Sequence, residues 1–229
     1  MRLLLIASAR MEFRGLRGDA WQPARLPVDW ARTIRLRRHD LLLVANGAGA
    51  HRAASAVDAA ADLFHPDAVI STGFCGALDP RLGLAGVVVA TSVAAADRLY
   101  PALAVSSAAP HHIGMVCSID HVAQTAEEKR LLRAGGGKVV EMEAAGVAAR
   151  AQARGLPFYC VKVVTDLAEE TMANDFNAAL RADGHFDTMV ILNETLRRPL
   201  ARLPELCRLL QRSVRAARVL GDFFADCRF

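Results

Sequence analysis

Five short runs of apolar residues constrain this chain more than anything else in it. Leu3–Ala7, Leu41–Ala45, Ala68–Ser71, Val87–Thr91 and Tyr159–Thr165 are rich in Leu, Val and Ile and show no alternation. Strands that are apolar on both faces belong in a sheet covered on both faces. Between them lie alanine-rich stretches with helical spacing. In His51–Phe64, small or apolar residues recur at Ala53, Ala56, Val57, Ala60 and Leu63. Met142–Ala153 is helical in the same way and stops before Gly155 and Pro157. Strand–helix–strand alternation predicts an α/β fold, a single-domain three-layer αβα arrangement with a central mixed, largely parallel sheet.

Composition narrows the functional classes. With 53% hydrophobic residues in 229, the chain can bury a large core. No run of apolar residues is long enough for a membrane span, and Met1–Ala9 reads as a strand rather than a leader. Aromatic residues make up only 6%, too few for a stacking platform, so no nucleic-acid partner is expected. The cysteines Cys75, Cys117, Cys160, Cys207 and Cys227 form no C-x-x-C pair. They read as buried thiols in a reducing, cytoplasmic setting, and no metal site is expected, the adjacent His111 and His112 being poorly spaced for one.

The net charge of +4 is concentrated at one end, where residues 197–229 carry eight arginines against Glu205, Asp222 and Asp226. The chain therefore divides into residues 1–196, a catalytic domain, and residues 197–229, a basic helical extension packed on it. Leu203, Leu206, Leu210, Val214 and Ala217 form the stripe expected to face the body. The other reading is a basic amphipathic helix making weak contact with an anionic membrane surface.

In open α/β sheets ligands sit beyond the carboxyl ends of the strands. The polar residues found there are Ser8 to Glu12, Asn46 to Gly49, a Gly-punctuated turn from Ser71 to Leu78, and Thr165-Asp166. Glu141 and Glu143 stand at an expected helix start. In order and spacing, Pro66 to Gly73 with Gly76-Ala77-Leu78, then Val140-Glu141-Met142-Glu143-Ala144-Ala145, then Leu156-Pro157-Phe158 leading to Val164-Thr165-Asp166, carry a resemblance. Over residues 1 to about 190 the chain resembles the nucleoside phosphorylase and nucleosidase superfamily. Within it the chain is most similar to methylthioadenosine/S-adenosylhomocysteine nucleosidases.

The resemblance implies cleavage of a purine-type nucleoside at its N-glycosidic bond. It makes Asp166 the acid that protonates the base, with Thr165 orienting it and burial raising its pKa. Glu143 holds the ribose hydroxyls with Met142 packed on the sugar, and Glu141 is structural. Glu12 activates the attacking water. Phe176 covers the ligand and Val122 stands in the segment that sandwiches the base, where nucleosidases carry Phe. In the Gly73 turn, bulky Phe74 replaces a small hydroxyl residue. Phosphorolysis is the alternative, with phosphate as co-substrate and Arg10 and Arg14 as its holders; otherwise no cofactor is implied. Two further alternatives are a relative acting on futalosine or an adenosylated lipid, and a nucleoside-binding module without catalysis. A homodimer or higher homo-oligomer is expected.

Overall fold

In the computed structural model, which describes residues 1–229, every expected strand is present and most run longer than the apolar run that marks them. Arg2–Ala7 (β1) lies between His39–Ala45 (β4) and Ala68–Ala77 (β5), parallel to both. Gln22–Pro23 (β2) and Trp30–Leu36 (β3) extend that edge antiparallel. On the other side Phe158–Asp166 (β10) runs parallel to β5 over its whole length.

From β10 the sheet curls back on itself. Val87–Ala95 (β6) pairs antiparallel with β10, while His112–Ser118 (β8) and Gly137–Glu141 (β9) follow in parallel. β9 then pairs antiparallel with the far end of β5, Gly76 opposite Val140. Arg98–Pro101 (β7) hangs from β6 as a hairpin. β5, β10, β6, β8 and β9 thus form a closed ring, and a closed ring has no free edge to protect.

Helices cover both faces. On one face Ala50–Phe64 (α1) and Ala144–Ala153 (α3) pack so closely that a Cβ on Gly146 would lie 1.8 Å from the Ala50 carbonyl oxygen. Alanine-rich faces permit that approach, and α1 buries Ala53, Ala56, Val57, Ala60 and Ala61. Leu63, expected on this face, is exposed, and Phe64 beside it packs against the core instead. On the other face Pro199–Asp226 (α6) inserts Ala216, Leu220, Phe223 and Phe224 among Leu3, Leu5, Leu43 and Val161. Of the expected stripe only Ala217 is buried and Leu206 half-buried, while Leu203, Leu210 and Val214 are exposed. Helical period identifies a stripe but not how much of it meets the body, and here the phenylalanines and small residues of the last turns make the tighter fit.

The segment Ser71–Leu78 is also not the expected turn. β5 continues through it to Ala77, still paired with β10. Gly73, at φ 116°, bends the strand without ending it, a conformation open to glycine. Ala126–Ala134 (α2), Phe176–Ala179 (α4) and Thr188–Arg197 (α5) complete the fold around the open ends of the ring.

Candidate active site

The carboxyl ends of β1, β9 and β10 each deliver an acid. After β1 the chain makes a short 3-10 turn over Arg10–Phe13 that turns Glu12 back over the sheet and buries it. Its carboxylate accepts the Ser8 N–H at 3.1 Å and the Ser8 hydroxyl at 2.9 Å. Burial pushes the Glu12 pKa up, and Lys162 with the Ser8 contacts only partly offsets this. A carboxylate made more basic in this way suits a base for water.

Gly73 is the floor under Glu12. A Cβ there would come 2.3 Å from Glu12 Oε2, at a backbone angle that other residues adopt only with strain. Gly73→Ala is therefore expected to displace the carboxylate and lower turnover by roughly 100-fold. Steady-state kinetics beside a thermal melt would check this. Unchanged turnover would mean that the position of Glu12 does not matter.

The two glutamates of the Val140–Glu143 stretch have different jobs. Glu141 closes β9 and turns inward, accepting the N–H groups of Glu143 at 3.0 Å and Ala144 at 2.9 Å. These are orphan donors at the start of α3. Its other partner is the ammonium of Lys162, fully buried, at 2.8 Å. Burial alone would push Lys162 down, but Glu141, with Cys160 and Glu143, more than offsets that and holds it protonated. Glu143, the residue preceding α3, accepts one N–H, from Gly49 at 3.1 Å. Burial first, then the Glu141 charge, pushes its pKa up to about 8. Glu143 thus has unused acceptor capacity turned to the cavity.

Asp166 ends β10, with the Thr165 hydroxyl 3.3 Å from its Oδ1. Space for it comes from Gly76, where a Cβ would lie 2.8 Å from Oδ2. A partner that the sequence did not single out faces Asp166: Lys129, buried on α2, donates to Oδ2 at 2.5 Å and to the Leu167 carbonyl at 2.8 Å.

These groups border one cavity of about 300 Å³, and Glu12, Glu141, Glu143 and Asp166 all reach its lining. Met142, Thr165, Phe176, Val122 and Phe74 line it too, while Gly73 stays behind Glu12. Asn177 clamps Val122 beside Phe176, accepting the Val122 N–H at 2.8 Å and donating to its carbonyl at 2.9 Å. Ser8, Met172, Phe186, Leu209 and Ser213 also line the cavity, and of these only the Ser8 loop stood out in the sequence. A second cavity of about 850 Å³ shares Ala48, His121 and Met142 with the first and leads outward past Arg52 and Arg181.

Other sequence candidates lie elsewhere. Arg10 and Arg14 are exposed and do not reach the cavity. His111 packs edge-on against Phe223, whereas His121 does line the cavity, its ring nitrogens engaged by Asp120 and Glu128. No group of three or more His, Cys, Asp or Glu side chains is placed to hold a metal ion. All five cysteines are free thiols, and Cys207 is exposed rather than buried.

A partly closed mixed sheet with buried carboxylates gathered at its strand ends over a half-apolar cavity defines an α/β enzyme built for acid–base work on a small ligand. The family model described as the phosphorylase superfamily matches residues 31–105 and 94–190, and the chain belongs to that superfamily. The 5'-methylthioadenosine/S-adenosylhomocysteine nucleosidase of Staphylococcus saprophyticus is 27% identical over 175 residues, spanning 64% of this chain and 77% of the relative. The same nucleosidase from S. pneumoniae, solved with a transition-state inhibitor, superposes with a TM-score of 0.73 at 18% identity, covering 99% of this chain and 97% of that one. Futalosine hydrolase of Helicobacter pylori gives 0.72 at 14% identity, covering 98% and 96%. The fold shared with these proteins thus takes in α6.

Proposed function

We propose that the protein hydrolyses the N-glycosidic bond of a purine-type nucleoside. Water attacks C1′ as the bond from C1′ to the base nitrogen breaks. Asp166 gives a proton to the departing base, and Glu12 takes one from the water. Glu143 accepts the ribose hydroxyls and, in its ionised form, favours the positive charge that builds on the sugar. Met142 packs on the sugar, and Val122 and Phe176 flank the base. Thr165 orients Asp166. Atoms balance with water as the only co-reactant, so the reaction needs no cofactor.

The observation that carries this reading is the charge on the cavity wall. Four carboxylic side chains line it and no arginine or lysine does. Lys129 and Lys162 lie behind the wall, each engaged by a carboxylate. A phosphate dianion would meet acids there with no guanidinium or ammonium to hold it, which disfavours phosphorolysis. A binding module would gain nothing from a buried acid at the base and another at the water position.

The test is base release from methylthioadenosine, S-adenosylhomocysteine, adenosine, inosine and futalosine, each with and without phosphate. Release without phosphate, lost in Glu12→Gln, is expected. Release that depends on phosphate would overturn the reading. The same reading takes the working unit as a cytoplasmic homo-oligomer, with Leu99, Leu103 and Ile113 exposed around β7 and β8 for the contact.

A further inference from the structure

The successive helices α5 and α6 each carry an apolar stripe with no partner within the chain. On α5 Met189, Leu192 and Leu196, and on α6 Leu200, Leu203, Cys207, Leu210 and Val214, follow one another at intervals of three or four residues, with non-helical Arg198 between the two helices. All are exposed, Cys207 among them, and the other seven run from 41% at Val214 to 94% at Leu200. Isolated exposed leucines are ordinary on a protein surface, but a run of five along one helix, with three more exposed on the helix before it, is not.

The charges beside it are one-sided. Arg198, Arg208, Arg215 and Arg218 are exposed, and none lies within ion-pair distance of a carboxylate. The other arginines here are engaged: Arg197 and Arg202 with Glu194, Arg212 with Glu170. The acids are mostly engaged too. Glu205 is buried and accepts the N–H groups of Ala173 and Asn174, and Asp226 accepts from Ser107 and Ala108. Only Asp222 is exposed without a partner. At 100° per residue, Arg208, Arg215 and Arg218 fall on one flank of the α6 stripe and Leu209 and Ser213 on the other. Leu209 and Ser213 are the α6 residues that line the active-site cavity. The stripe thus runs between a cationic ridge and the cavity wall.

We propose that α5 and α6 dock on an anionic lipid surface. The leucines and Met189 enter the boundary between headgroups and acyl chains, and the arginines reach the lipid phosphates over the top of their own apolar stems. The cavity is then held at the bilayer surface. A second copy of the chain is the competing occupant. Charge decides against it, because each copy would bring four unpaired arginines to the contact and one unpaired acid. The inference does not rest on the roles given to Glu12, Glu143 or Asp166, and its test reads binding alone.

Cys207 lies in the stripe and is the exposed thiol of the five, so it reports directly on what covers the surface. The full chain, labelled there with an environment-sensitive maleimide dye, is mixed with vesicles of phosphatidylcholine alone or with phosphatidylglycerol added. The expected result is a blue shift and co-sedimentation with the anionic vesicles only, reversed by salt. Each arginine removed should weaken binding about fivefold, and the R208Q/R215Q/R218Q triple variant on the order of 100-fold. All three side chains are exposed, so an unchanged thermal melt shows that the variant is folded. L192S/L203S should lose the blue shift as well. Absence of binding to anionic vesicles would overturn the proposal. So would equal binding to neutral ones, or a blue shift without lipid that grows with protein concentration and accompanies a doubling of sedimented mass.

Discussion

Asp166→Asn is expected to lower base release by about 100- to 10,000-fold, the range over which a positioned acid contributes. Asparagine keeps the size of the side chain and an oxygen that Lys129, 2.5 Å away, can still reach. It also keeps the neighbour relation with Gly76, where there is no room for anything larger. What it cannot do is transfer a proton to the leaving base. The loss should therefore fall on kcat, with KM little changed. A riboside whose leaving group is a stable phenolate needs no such proton, and on that substrate the variant should recover most of the deficit. An equal deficit on both substrates would mean that Asp166 shapes the cavity rather than acting as the acid.

The three acids proposed for chemistry were legible because each stands immediately after an apolar run or at a helix start, where a sheet of this kind exposes polar residues. The parallel core was legible for a related reason: strands such as Leu3–Ala7 are buried on both sides and carry no polar interruption. What escaped was whatever depends on residues distant in sequence. Lys129 looks like any surface lysine on a helix with glutamates around it, yet it reaches Asp166 across 37 positions. Lys162 sits inside the longest apolar run, and its charge has meaning only beside Glu141. The Ser71–Leu78 stretch was misread because its glycines make room for Glu12 and Asp166 rather than reversing the chain. On α6 the expected stripe holds at Ala217, but its N-terminal leucines are exposed, and Phe223 and Phe224 in the last turns make the main contact with the body.

Lys162→Met should cost more stability than any other single change considered. The lysine is fully buried, and its ammonium lies 2.8 Å from Glu141 and donates to the Thr72 carbonyl at 3.0 Å. Methionine fills much of the same volume but leaves Glu141 without its cation in a wall that also holds Glu12 and Glu143. Removing one partner of a buried pair costs about 3 to 5 kcal/mol. The pH dependence has a definite sign. Glu12 and Glu143 are acids with folded-state values above the ordinary 4.5, so each contributes stability below that value and loses it as pH rises through its folded value. Lys162 pulls both down, and without it both move further up. The deficit against the wild type should therefore be smaller near about pH 5 and larger near about pH 8, which urea unfolding at the two values would measure. Adding Glu141→Gln should restore part of the loss, because the uncompensated charge is then gone. A deficit that ignores pH and is not relieved by Glu141→Gln would assign the cost to packing, and the cluster of acids would need another explanation for its tolerance.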